Sequence, residues 1–122
     1  VKLIAAKQAV ADKKFEAALE HLNGASAQTT DSSLKGLVDS RIARVQMELK
    51  QFDAALTTLN GISNEGFKSR VAELKGDIYL AKGDTTKARL EYQAAADNGG
   101  LQGNNLLQMK LDDLTQSASN DS

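Results

Sequence analysis

Phe15-Glu-Ala-Ala-Leu-Glu-His-Leu-Asn-Gly24 returns as Phe52-Asp-Ala-Ala-Leu-Thr-Thr-Leu-Asn-Gly61, with seven identities and one Glu/Asp exchange at a step of 37 residues. A weaker third copy follows at a step of 33, where Gly83-Asp-Thr-Thr-Lys-Ala88 leads into Leu90 and Tyr92. Self-similarity at this period reads as tandem helical hairpins. One hairpin cannot bury its own apolar face and must stack on the next, so the period alone implies an all-α array. Arrays of this kind mostly bind other chains, which lowers the expectation of catalysis.

Composition agrees. The 122 residues suffice for one domain and its core. Proline, cysteine and tryptophan are absent, and much of the rest is Ala, Leu, Lys, Gln and Glu, a helical mixture. Without cysteine there are no disulfides or thiolate metal sites, and the lack fits cytoplasm and periplasm equally. A formal charge of −1 argues against a nucleic-acid partner, which would require a basic face. No apolar run approaches the roughly 18 residues that span a bilayer. Val1 is not an initiator Met and residues 1–10 already read as helix, so a segment upstream is expected.

Outward from the repeat, three hairpins account for residues 1 to 98. The first pairs 1–12 with 15–24 through a turn at Asp12-Lys-Lys14, and Phe15, Ala18, Leu19 and Leu22 form one apolar stripe. Gly24 is expected to stop that helix, and Asp31, Ser32 or Ser33 to cap the next. The second hairpin pairs 33–49 with 52–61, its first helix carrying Leu34, Leu37, Val38, Ile42, Val45 and Leu49. The third pairs 66–82 with 85–97, starting at Ser63, Asn64 or Glu65, with Val71, Leu74, Ile78 and Leu80 buried. Its turn is Lys82-Gly-Asp84, where Gly83 takes a positive φ and Asp84 caps. Asn98-Gly-Gly100 breaks the chain. A capping helix over 101–114 then presents Leu107, Leu111 and Leu114, and 115–122 is expected to be a disordered polar tail.

The spacings resemble the tetratricopeptide repeat, a pair of antiparallel helices marked by small residues where they cross. Ala18, Ala55 and Ala88 stand at the small position of the second helix, and twelve residues earlier lie Ala6, Ala43 and Gly76. In the third repeat Gly76, Tyr79, Gly83, Ala88, Tyr92 and Ala95 all match that pattern, whereas Lys75 replaces the usual aliphatic and no repeat ends in proline. A closer resemblance covers residues 34–113. Ser40-Arg-Ile-Ala-Arg-Val-Gln-Met-Glu-Leu-Lys50, Asp53-Ala-Ala-Leu-Thr-Thr-Leu59, Ala81-Lys-Gly-Asp-Thr-Thr-Lys-Ala-Arg89 and Gln108-Met-Lys-Leu-Asp-Asp-Leu114 look like the periplasmic domain of YfgM-type ancillary subunits of the bacterial Sec translocon. That resemblance implies a single N-terminal membrane helix upstream and a place at the periplasmic face of the inner membrane. It also implies association with translocon subunits and with a membrane-anchored chaperone of the prolyl-isomerase type. The rival expectation is a soluble scaffold assembling a cytoplasmic complex.

Residues that could carry chemistry are few. The sole histidine, His21, has Thr58 as its repeat counterpart and reads as a surface side chain. Asp112 and Asp113 are adjacent on a helix and point about 100° apart. Glu73 and Asp77 share a face at i and i+4, yet two carboxylates are too few for calcium. No strand–loop–helix phosphate cradle occurs. No cofactor, metal or catalytic residue is therefore expected. What remains is the groove that the first helices of tetratricopeptide hairpins line. By repeat register it carries Leu3, Lys7 and Val10, then Leu37, Ser40, Arg44 and Met47, then Arg70, Glu73, Asp77 and Leu80. Such a groove is basic at first and acidic at the third repeat. It fits an extended or helical partner segment of opposite charge, but ion pairs along the helix, such as Arg70 with Glu73, fit the same residues. The family's clamp for a terminal carboxylate is not evident at Leu3, Lys7, Ser40 and Arg44.

Overall fold

The computed structural model describes the backbone of residues 2–120 and the side chains of 14–114. Six α-helices run in order, α1 Lys2–Gln28, α2 Ser32–Glu48, α3 Phe52–Asn60, α4 Lys68–Ala81, α5 Thr85–Ala95 and α6 Asn105–Asn120. No strand occurs among the described residues. The helices fall into two compact units, Val1–Ile62 and Ser63–Ser122.

In the first unit the repeated decapeptide adopts two different settings. Its second copy is α3, which ends at Gly61 as expected. Its first copy lies inside the 27-residue helix α1, so the turn expected at residues 12–14 does not form and the first hairpin is one continuous helix. The equivalent turn between α2 and α3 shows why. There Lys50 adopts φ 61°, the Lys50 N–H donates to the Met47 carbonyl and the Gln51 N–H to that of Gln46. This is the Schellman arrangement, built on a residue that tolerates it poorly. A left-handed non-glycine residue costs about 1–2 kcal/mol, offset here by the apolar face that α2 and α3 bury through Ile42, Ala43, Ala55 and Leu59. Asp12-Lys-Lys14 also lacks glycine, and staying helical avoids that cost. Ala6 and Ala18 therefore lie on one helix and do not form a crossing.

Gly24 does not end α1 either, since the helix runs another turn to Gln28. A helical glycine costs only about 1 kcal/mol relative to alanine. The extra turn brings the Ser26 hydroxyl 2.6 Å from Asp39 on α2, a buried hydrogen bond that ties the two helices. Asp31 then caps α2, accepting from the Ser33 and Leu34 N–H groups at 2.9 and 3.2 Å. The stripe Phe15, Ala18, Leu19 and Leu22 is half-buried throughout, while Leu34 and Leu37 remain exposed and Val38 and Ile42 enter the core.

The second unit follows its sequence more closely. Asn64 caps a 3-10 turn at Glu65–Phe67 that leads into α4. Gly83 sits at φ 87° and Asp84 accepts from the Lys87 N–H at 3.0 Å, so α4 and α5 form the expected hairpin. Gly76 and Ala88 let these helices approach closely, and the buried Tyr92 ring fills the space that a side chain at position 76 would need. Val71 is only half-buried, and Leu80, expected both in the buried stripe and on the groove side, is exposed. At the end of α5 the chain passes through a π turn at Ala96–Gly100 with Gly99 at φ 87°, then a second glycine, Gly103, at φ 67°. Asn104 accepts from the Leu107 N–H at 3.0 Å and starts α6, later than the expected residue 101. Leu107, Leu111 and Leu114 close the core with Ala72, Ala88, Tyr92 and Ala95. The helix continues to Asn120, beyond the expected end at 114. Nothing in Thr115-Gln-Ser-Ala-Ser-Asn120 is a glycine or proline that would stop it.

Candidate functional site

On α2 the spacing of Leu37, Ser40, Arg44 and Met47 places all four along one helix face. The structure leaves Leu37 and Arg44 exposed and Met47 half-buried. Ser40 is different: it is only 1% exposed, and its hydroxyl donates back to the Leu37 carbonyl at 2.8 Å. The face is thus an apolar and cationic surface around a small, internally bonded serine. Leu3, Lys7 and Val10 belong to α1, but their side chains lie outside the described residues.

On α4 Arg70 is exposed, whereas Glu73 and Asp77 meet a cation that repeat register does not reveal. Lys110 of α6 lies between them, its ammonium 2.9 Å from Glu73 Oε2 and 2.9 Å from Asp77 Oδ1. Asn104 donates to Glu73 Oε1 at 2.9 Å, and the Tyr92 hydroxyl donates to Asp77 Oδ1 at 2.5 Å. Lys110 also stands 5.5 Å from the Tyr92 ring centre, within cation–π range. Side-chain exposure of 20%, 16% and 23% for Lys110, Glu73 and Asp77 leaves little room for solvent. Glu73 therefore turns to α6 and not to Arg70.

The electrostatics of this cluster favour its present protonation. Burial pushes the Tyr92 phenol well above its ordinary range, and the adjoining Asp77 carboxylate adds to the effect. For Lys110 burial opposes the charged form, but the hydrogen bonds to Asp77 and Glu73 outweigh it and the ammonium is held above its usual range. An ammonium this firmly protonated is no general base. Among the described residues no group of three or more metal-ligating side chains converges, and every buried side-chain polar atom has a hydrogen-bond partner. His21 is exposed on α1, and Asp112 accepts from Gln108 at 2.9 Å on the solvent side of α6.

The sequence carried a signal for Lys110. Leu107, Leu111 and Leu114 define the buried stripe of α6, and position 110, three after Leu107 and four before Leu114, falls on the same stripe. A lysine on a buried stripe requires an acidic partner, and Glu73 with Asp77 is a matched pair. Long-range pairing of this kind is invisible to local periodicity.

Antiparallel helix pairs crossing at small residues, with a final helix sealing the last pair, define a helical-hairpin repeat protein. The chain belongs to the tetratricopeptide repeat-like domain family, whose model matches residues 1–116. It is similar to the ancillary SecYEG translocon subunit of Haemophilus influenzae, with 39% identity over 109 residues, 89% of this chain and 53% of that protein. The proteins of the same description from Escherichia coli and Aggregatibacter actinomycetemcomitans are also 39% identical, over 111 and 109 residues, covering 90% and 89% of this chain. They are matched over 54% and 53% of their own lengths, so the chain spans about half of these relatives. No solved structure gives a significant match.

Proposed function

We propose that this chain is the non-enzymatic protein-interaction domain of an ancillary Sec translocon subunit. The observation that carries the reading is the 39% identity over nine-tenths of the chain to proteins of that description, together with the repeat fold. In this reading the domain stands at the periplasmic face of the bacterial inner membrane, held by a single-pass anchor elsewhere in the longer protein. Among the described residues no helix is long and apolar enough to cross a membrane. The partners are translocon subunits and a prolyl-isomerase-type periplasmic chaperone, and the domain links the two while envelope proteins emerge.

The binding face in this proposal is the one that the first helices of the repeats present. In the first unit its core is Leu37, Arg44 and Met47 of α2, with Leu3, Lys7 and Val10 of α1 as further members; in the second unit Arg70 of α4 is a separate candidate contact. Ser40 is buried and bonded to the Leu37 carbonyl, so it is not itself a contact. Glu73 and Asp77 contribute through the position they give Lys110 and α6. Met47 and Arg44 are of residue types enriched at protein interfaces. The test is recovery of partners from membranes in mild detergent with the affinity-tagged full-length protein. Translocon and chaperone subunits co-purify with the wild type, and an Arg44→Glu, Met47→Glu variant loses them while keeping its helical content. Undiminished recovery with that variant would remove this face from the proposal, and no recovery with the wild type would remove the Sec role.

A further inference from the structure

The repeated decapeptide presents the same apolar stripe in two settings. On α3, Ala55 and Leu59 are fully buried, each 0% exposed. Their counterparts on α1, Ala18 and Leu22, are only half-buried. Phe15 and Leu19 match Phe52 and Leu56, all four half-buried, so the deficit is confined to one side of the stripe. In the second repeat that side is closed by α2, which packs on α3 through the buried Ile42 and Ala43.

Repeat register says which segment closes the same side of α1. Ala5, Ala6 and Val10 hold the places of Ile42, Ala43 and Met47. That segment is the N-terminal part of α1 itself. Because α1 runs unbroken from Lys2 to Gln28, about 40 Å at 1.5 Å per residue, residues 2–12 extend away from 15–24 and do not cover them. Positions 6 and 18 are roughly 18 Å apart along that helix. The stripe therefore has a matching cover in its own sequence, held out of reach by a hinge that stays helical.

We infer that a second copy of this chain supplies the cover. Residues 2–12 of each copy lie antiparallel on residues 15–24 of the other, Ala6 crossing Ala18, in a twofold exchange of helical arms. Each arm repeats between copies the contact that α2 and α3 make within one chain, and the symmetry makes it twice. The hinge explains why the cover comes from another copy. Closing the hairpin within one chain requires a left-handed residue at Lys13, as Lys50 supplies at φ 61° between α2 and α3. The exchanged form keeps Lys13 helical, avoids that strain and buries the same apolar surface. Pairing two chains costs translational freedom, so the dimer depends on concentration. The inference is independent of the Sec reading, since it uses only the repeat and the course of α1.

The experiment combines sedimentation equilibrium of the 122-residue chain with disulfide trapping, for which the absence of native cysteine leaves a clean background. The wild type is expected to show a two-chain mass that dissociates on dilution. Ala6→Cys and Ala18→Cys chains, mixed and oxidised, are expected to give a disulfide-linked dimer, whereas each alone gives little, since like positions lie far apart in the antiparallel pair. Lys13→Gly lets the hairpin close within one chain and weakens the straight helix, so it is expected to raise the dimer dissociation constant by roughly tenfold or more. Lys13→Ala is expected to leave it unchanged, with helical content by circular dichroism retained in both. A monomer at every concentration would overturn the inference, as would a dimer without the mixed disulfide, which would mean another interface. An Ala6→Cys, Ala18→Cys double variant that closes only within one chain would show a self-closed hairpin and overturn it too. So would a Lys13→Gly dimer as tight as the wild type.

Discussion

Replacing Gly76 with alanine is expected to destabilise the protein, although alanine is the better helix former. A Cβ at position 76 falls 2.5 and 2.6 Å from two carbons of the Tyr92 ring and 3.0 Å from a third. Carbon atoms prefer about 3.5–4.0 Å, so the ring must retreat by roughly 1 Å. Tyr92 is fully buried, its hydroxyl is bonded to Asp77, and Lys110 stands over its face, so retreat strains the whole cluster. Overpacking of this kind costs about 1–3 kcal/mol, against a helix-propensity gain of about 1 kcal/mol. The net expectation is a loss of about 0–2 kcal/mol, its midpoint of about 1 kcal/mol corresponding to on the order of 5 °C in Tm. Gly24→Ala is the matched control: Gly24 is helical, and a Cβ there meets nothing within 4 Å. It is expected to stabilise by about 1 kcal/mol. Urea unfolding followed by far-ultraviolet circular dichroism reads both variants, and Gly76→Ala with Tyr92→Leu reads their coupling. If Gly76→Ala stabilises as much as Gly24→Ala, the close crossing of α4 and α5 at Tyr92 is wrong.

Three further outcomes follow from the same geometry. Lys50→Gly relieves a positive φ and should raise stability by about 0.5–1 kcal/mol in the same unfolding assay; a loss would show that Lys50 is not left-handed in solution. Lys110→Met leaves Glu73 and Asp77 facing each other with little solvent, and should cost about 3 kcal/mol. Adding Glu73→Gln and Asp77→Asn to that variant should recover part of the loss, whereas no recovery would mean that the lysine acts through its apolar stem alone. Lys110 and Tyr92 both hold their protons more tightly folded than unfolded, their ordinary values being 10.5 and 10.0. The stability they contribute is therefore complete below about pH 10 and falls as pH rises through their folded values. In a Tyr79→Phe background, where Tyr92 is the remaining tyrosine, phenolate absorbance should rise together with the loss of helix; phenolate in a still-helical protein would contradict the burial of Tyr92.

Short-range chemistry made much of the fold readable. Gly83 and Asp84 encode their turn in adjacent residues, one permitting positive φ and the other capping, and Asp31 caps α2 in the same local way. The crossing at Gly76 and Ala88 was legible because a close approach leaves room for little else. Turns without glycine were not legible in the same sense. Lys50 and Lys13 hold equivalent repeat positions, yet only Lys50 turns left-handed, and the residue type does not separate them. What separates them is whether packing on either side offsets the strain, which is a tertiary quantity. Gly24 and Gly61 end the same decapeptide, and again only the tertiary setting, a continuing α1 bonded through Ser26 to Asp39, decides which one terminates a helix. The candidate face was partly legible. Register placed Leu37, Arg44 and Met47 on one stripe but could not show that Ser40 bonds inward or that Lys110 claims Glu73 and Asp77.

Site-specific photocrosslinking in cells tests the central claim most directly, using the full-length protein in its native membrane with a photoreactive residue at Arg44, at Met47 or at Glu20, which is exposed on α1. The proposal predicts crosslinks to translocon or chaperone subunits from positions 44 and 47 and none from 20. Crosslinks from all three alike would reduce the signal to proximity, and crosslinks from Glu20 with silence at 44 and 47 would place binding on another face and contradict the account.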